Sequence, residues 1–111
     1  MKRTRFLGLN LNIGREAGLS AAAVLAVICD QIEQRQKQKD ESCYIDGTWW
    51  VPLSLNDIEY CLWGLIKRTA IYDNTKKLKE LGVLNIENLN KVKYDRTKWY
   101  SINEEELEKY K

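Results

Sequence analysis

Nine basic side chains fall between residues 67 and 98: Lys67, Arg68, Lys76, Lys77, Lys79, Lys91, Lys93, Arg96 and Lys98. Asp73, Glu80, Glu87 and Asp95 oppose them, which leaves the segment at +5. Lysine and arginine neutralise phosphates, and an arginine fork can also read a guanine edge in the major groove. A threonine near a helix N-terminus can bond a phosphate. On that chemistry Lys67, Arg68, Thr69, Tyr72 and Lys76 make one candidate set for DNA contact, and Lys91, Lys93, Arg96 and Lys98 make a second. Tyr94 and Trp99 are interleaved with the second set. Aromatic faces among cations suit unpaired bases, so both are candidates for base stacking. Residue types alone do not choose single-stranded from double-stranded DNA.

Most other chemistries are disfavoured. The chain has no histidine, hence no imidazole base. Cys29, Cys43 and Cys61 are odd in number and lack C-x-x-C spacing, which argues against zinc. They read instead as thiols of a reducing, cytoplasmic setting. No P-loop and no glycine-rich phosphate cradle follows a strand. Glu104, Glu105, Glu106 and Glu108 form a solvated run rather than a metal site. No catalytic residue, metal or cofactor is expected.

The net charge is only +2, so distribution matters more than total. Lys2, Arg3, Arg5 and Arg15 against Glu16 give residues 1–16 a charge of +3, and everything outside these two segments sums to −6. Such polarity is an electrostatic footprint for nucleic acid. Met1 to Arg5 begins like a secretion signal, but Asn10 and Asn12 interrupt the apolar stretch after it. The run Ala21 to Cys29 is too short to span a membrane.

At 111 residues the expectation is one domain with a modest core. Leu7, Leu9, Leu11 and Ile13 alternate with Gly8, Asn10 and Asn12, which predicts an N-terminal strand from Phe6 to Ile13. Ser20 reads as the N-cap of a helix from Ala21 to about Gln38, with Val24, Leu25, Ile28, Cys29 and Ile32 as its apolar stripe. Asp46-Gly47 between apolar residues predicts a hairpin over residues 44–51, ended by Pro52. Ser54 and Asp57 predict a capped short helix through Cys61 or Leu62, followed by a turn at Trp63-Gly64-Leu65. A helix from about Lys67 to Leu81 should turn Ala70, Ile71, Asn74, Leu78 and Leu81 inward, and Gly82 should stop it. Val83, Leu84 and Ile86 begin a strand, a basic loop follows, and Thr97 to Asn103 return. An acidic helix over residues 104–110 closes the chain. This is an α+β, mainly helical, winged helix-turn-helix order: an N-terminal arm (1–18), a core (19–103) and a C-terminal helix (104–111).

The stretches Trp50-Val51-Pro52-Leu53-Ser54, Arg68-Thr69, Leu78 to Leu84 and Tyr94-Asp95-Arg96-Thr97-Lys98-Trp99-Tyr100 resemble the N-terminal winged-helix domain of replication initiators. These belong to phages, plasmids and other mobile elements of Gram-positive bacteria and include DnaD-like replisome organisers. The resemblance spans roughly residues 17–107. It departs at Ile66, where such helices usually carry Ser or Thr. It implies a non-catalytic DNA-binding accessory protein that brings DNA to a larger primase, polymerase or helicase. The alternatives are a small winged-helix transcriptional regulator and a protein-docking winged helix. For docking, Trp49, Trp50, Trp63 and Tyr110 are the candidate partner-binding residues, since aromatic residues are enriched at interfaces. The predicted N-terminal strand could also pair with a second copy in a homodimer.

Overall fold

The computed structural model describes residues 6–111, so the basic residues Lys2, Arg3 and Arg5 lie outside the described residues. The elements run α1 (Leu11–Ala17), α2 (Leu19–Lys37), a 3-10 turn (Glu41–Cys43), β1 (Tyr44–Ile45), β2 (Thr48–Trp49), β3 (Val51–Leu53) and α3 (Leu55–Cys61). They continue through α4 (Arg68–Glu80), β4 (Leu84–Glu87), β5 (Lys98–Ile102), α5 (Glu104–Leu107) and a last 3-10 turn (Glu108–Tyr110). The chain is therefore α+β, with two small antiparallel sheets ordered β1-β2 and β3-β5-β4.

Helix α2 is the spine. It packs against α1, α3, α4, β3 and β5, and Ala21, Ala22, Val24, Leu25, Val27 and Ile28 are all buried. A helix covered on more than one side needs apolar residues beyond a single stripe, and this run supplies them. Its C-terminal turns are polar, and Arg35 pairs with Asp40 at 2.9 Å just past the end.

The predicted N-terminal strand is not formed. Residues 6–10 are irregular and Leu11–Ala17 is helical. Asn10 decides this, because its side-chain oxygen accepts from the amides of Asn12 at 3.0 Å and Ile13 at 3.1 Å. That is a side-chain N-cap, and it commits the following residues to a helix. Leu11 and Asn12 are then exposed while Ile13 is buried, so the alternation did not mark a sheet face. Ser20 does not cap α2 either. Gly18, at φ +98°, holds the cap position without a side-chain bond, and the helix is under way by Leu19.

The Asp46-Gly47 turn is present, with φ of +50° and +79°, as a tight hairpin of this kind requires. Pro52 does not end a strand. It sits inside β3, opposite Trp99 of β5. Because β3 is an outer strand of its sheet, a missing amide is tolerated there. Ser54 and Asp57 form a reciprocal capping box: the Asp57 amide donates to Ser54 Oγ at 3.0 Å, and the Ser54 amide donates to the Asp57 carboxylate at 2.9 Å. The chain then reverses through Trp63 and Gly64, both at positive φ, and enters α4.

Helix α4 buries Ile71, Asn74, Thr75 and Leu78. Ala70, expected to face inward, is exposed, and Thr75 takes an inward place instead. The cost of burying that hydroxyl is offset because it donates to the Tyr72 carbonyl at 2.7 Å. Gly82 at φ +83° turns the chain out of the helix, as expected for a glycine just past a C-cap. Chain reversal through the loop 88–97 then lays β5 between β3 and β4, with Ile86 opposite Tyr100 and Glu87 opposite Trp99.

Candidate nucleic-acid interface

The exposed side of α4 and the β4–β5 hairpin enclose a groove of about 740 Å³. Lys76 and Lys79 line it from α4, and Arg96 and Lys98 line it from the far arm of the hairpin. Leu53, Leu55, Ile86 and Tyr100 give it apolar surface, and Tyr72 and Thr97 complete its sides. The register makes this arrangement: Leu53 pairs with Lys98 and Ile86 with Tyr100, so residues from all three strands reach the same space. Tyr100 is 2% exposed, and burial pushes its phenol up to about 12.

Among the described residues, the ion pairs are Arg35–Asp40, Lys37–Glu33, Lys109–Glu106 and Lys111–Glu108. The four groove cations take part in none of them. Lys76 instead holds its ammonium 5.5 Å from the centre of the Tyr72 ring, within cation–π range. Cations without a carboxylate need not break a pair before meeting an anion. Glu80 is the acidic side chain on the groove lining.

Asn90 is the centre of the hydrogen bonds that hold the hairpin loop. The Asn90 carboxamide nitrogen donates to the carbonyls of Asp95 at 2.9 Å and Thr97 at 2.8 Å. Its oxygen accepts from the indole Nε1 of Trp99 at 2.7 Å. Asn88 adds a bond from its own carboxamide to the Asp95 carbonyl at 3.3 Å. The Thr97 amide donates to the Asp95 carboxylate at 3.0 Å, and hydrogen bonding from Thr97 holds that carboxyl below its ordinary range. Asp95 thus orders the loop. These bonds position Arg96 and Lys98 against α4.

The predicted residues divide among several places. Tyr72, Lys76, Arg96 and Lys98 converge on the groove. Lys67, Arg68 and Thr69 are exposed at the start of α4, outside the groove, and Arg68 donates to Asn56 of α3 at 3.0 Å. Lys67 is the N-cap of α4 and makes no side-chain cap, while Ile66 packs half-buried against the core. The cap therefore falls at Lys67, one residue after Ile66, and a lysine side chain offers the first-turn amides no acceptor. Lys91 and Lys93 stand exposed on the loop. Tyr94 is exposed beside them, whereas Trp99 is half-buried with its N–H committed to Asn90.

Comparison of the chain with models of protein families, with curated proteins and with solved structures found no match. The interface is read from its own geometry.

Of the docking candidates, Trp49 is half-buried and its ring centre lies 5.1 Å from that of Tyr44. Trp50 is half-buried, and its amide donates to the Cys43 carbonyl at 2.7 Å. Tyr110 packs against the core, and its carbonyl accepts from Asn12 at 2.9 Å. Trp63 is the most solvent-facing of the four, at 52% exposure. Among the described residues no helix is long and apolar enough to cross a membrane.

Sequence reasoning missed Lys79 as a site residue, the apolar part of the groove and the role of Asn90. Lys79 is three residues after Lys76, one turn along the same helix face, and that spacing was available. The apolar lining depends on which strand lies beside which, and no local pattern reveals it. Asn90 looked like any polar loop residue.

Proposed function

We propose that this chain is a winged-helix DNA-binding protein without catalysis of its own. In this reading α3 and α4 are the helix-turn-helix, and the β4–β5 hairpin is the wing. The observation that carries it is the groove between α4 and the hairpin, where Lys76 and Lys79 face Arg96 and Lys98 with no carboxylate paired to any of them. Phosphates supply the missing counter-charge, and contacts from two elements fix the backbone's direction. Lys67, Arg68 and Thr69 extend the same surface at the N-terminus of α4, and Lys91 and Lys93 extend it along the loop.

The role proposed for this binding is in replication of a mobile genetic element, where the chain would bring DNA to a larger primase, polymerase or helicase. The likeness of the Trp50–Ser54 and Tyr94–Tyr100 stretches to replication initiators supports that assignment. Of the four docking candidates Trp63, on the turn before α4, is the most exposed for contact with the larger protein.

Fluorescence anisotropy with one labelled oligonucleotide, single-stranded and as a duplex, tests the reading. Engaging four to six phosphates predicts that log K falls against log salt with a slope between about −3 and −5. Reversing Lys91, Lys93 and Arg96 to Glu should remove most of the binding and flatten the slope. Absence of binding to both forms at low salt would refute the proposal.

A further inference from the structure

We infer that the groove between α4 and the hairpin seats one unstacked base of a single nucleic-acid strand, with the neighbouring phosphates held by Lys76 and Lys79 on one wall and Arg96 and Lys98 on the other. This rests on the nucleic-acid reading above and adds the form of the substrate. Four cations alone would suit any polyanion. The lining between them is the discriminating feature, because the half-buried Leu55 and Ile86, backed by the buried Leu53 and the Tyr100 ring, add apolar surface beside the hydroxyls of Ser54, Thr75 and Thr97, and a phosphate has no use for that apolar part. A ligand that matches both parts alternates anionic groups with flat apolar ones, which is the repeat of a single strand. In a duplex the bases stay stacked and paired inside, so an apolar slot beside the phosphates stays empty.

Size and surroundings agree. The groove, about 740 Å³ and open on one side, has room for a base together with its flanking phosphates. Tyr72 is 48% exposed on the wall of the groove, with the Lys76 ammonium over its ring, so a base stacking there would share the ring with that cation. The hairpin wall is braced by the Asn90 bonds and the α4 wall by its buried face, so the slot persists without ligand. Glu80 on the lining offers an acceptor to an exocyclic amine, and it would repel an acidic peptide laid along the same path.

Anisotropy at one low salt concentration would compare three labelled probes of equal length: a thymidine strand, the same sugar–phosphate strand without bases, and a duplex. The expected result is binding to the thymidine strand about tenfold tighter than to the baseless strand, the effect of stacking one base. It should also exceed binding to the duplex. Ile86→Trp, which fills the slot, should bring the thymidine strand down to the level of the baseless one. Should that variant not fold, Tyr72→Ala at an exposed position should produce the same loss of preference. Equal affinity of the unaltered protein for strands with and without bases overturns the assignment while leaving DNA binding intact. So does an unchanged preference in both variants, or binding of labelled oligoglutamate as tight as that of the thymidine strand. Failure to bind any probe removes the underlying nucleic-acid reading as well.

Discussion

Replacing Asn90 with Ala should loosen the hairpin without touching the core. The substitution deletes donors to the Asp95 and Thr97 carbonyls, at 2.9 and 2.8 Å, and the acceptor 2.7 Å from the Trp99 indole nitrogen. Each such bond contributes about 0.5–1.5 kcal/mol net. The Asp95 contact faces solvent and belongs at the low end, because water replaces it easily. The Trp99 bond is part-buried and belongs nearer the top. The expected loss is about 2 kcal/mol, or roughly 8 °C in Tm for a domain of this size. A double-mutant cycle with Trp99→Phe isolates the indole bond and should return a coupling of about 1 kcal/mol. Hydrogen exchange should show faster exchange at the Thr97 amide, whose bond to Asp95 depends on the same loop shape. DNA affinity should fall several-fold although no phosphate-contacting side chain is altered. A Tm within 2 °C of the parent protein, together with no coupling to Trp99, would refute the idea that Asn90 organises the hairpin.

Two further perturbations address other parts of the fold. Ser54→Ala breaks the capping box at the start of α3 and should cost about 1 kcal/mol in chemical denaturation, with Asp57→Ala showing a comparable and non-additive loss. Tyr100 has its phenol raised from 10.0 to about 12 by burial, so the unfolded chain ionises first as pH rises. Stability attached to this group is complete below pH 10 and declines as pH climbs towards 12, by as much as roughly 3 kcal/mol over that window. Tyr100→Phe should lack this alkaline decline, and denaturation curves collected between those pH values would show it.

Local chemistry was the legible part of the sequence. The Asp46-Gly47 turn, the Ser54–Asp57 box and the Gly82 stop each depend on a few adjacent residues whose geometry is nearly obligatory, and each appears where expected. The N-terminal segment misled because four alternating apolar residues fit a strand, while one Asn side chain was enough to start a helix. Pro52 misled for a different reason. Whether a strand tolerates proline depends on its place in the sheet, and that place is set by β5, almost fifty residues later. The candidate site was legible in the same uneven way. Charge could be counted from the sequence, so Lys76, Arg96 and Lys98 were named. The apolar lining that joins them exists only once Leu53, Ile86 and Tyr100 are brought together by the pairing of three strands.

The position of Pro52 also bears on how this protein would behave at high concentration. The sheet ends on one side at β3 and on the other at β4, and an open sheet border is where stray chains add and aggregates grow. At β3 the border is three residues long and its middle residue has no amide hydrogen to offer. An incoming strand would meet a gap in the ladder after one residue. β4 has no such interruption, so replacing Pro52 would double the adhesive borders on a molecule whose net charge of +2 gives little mutual repulsion. For anyone preparing it at high concentration, that proline is the residue to leave alone.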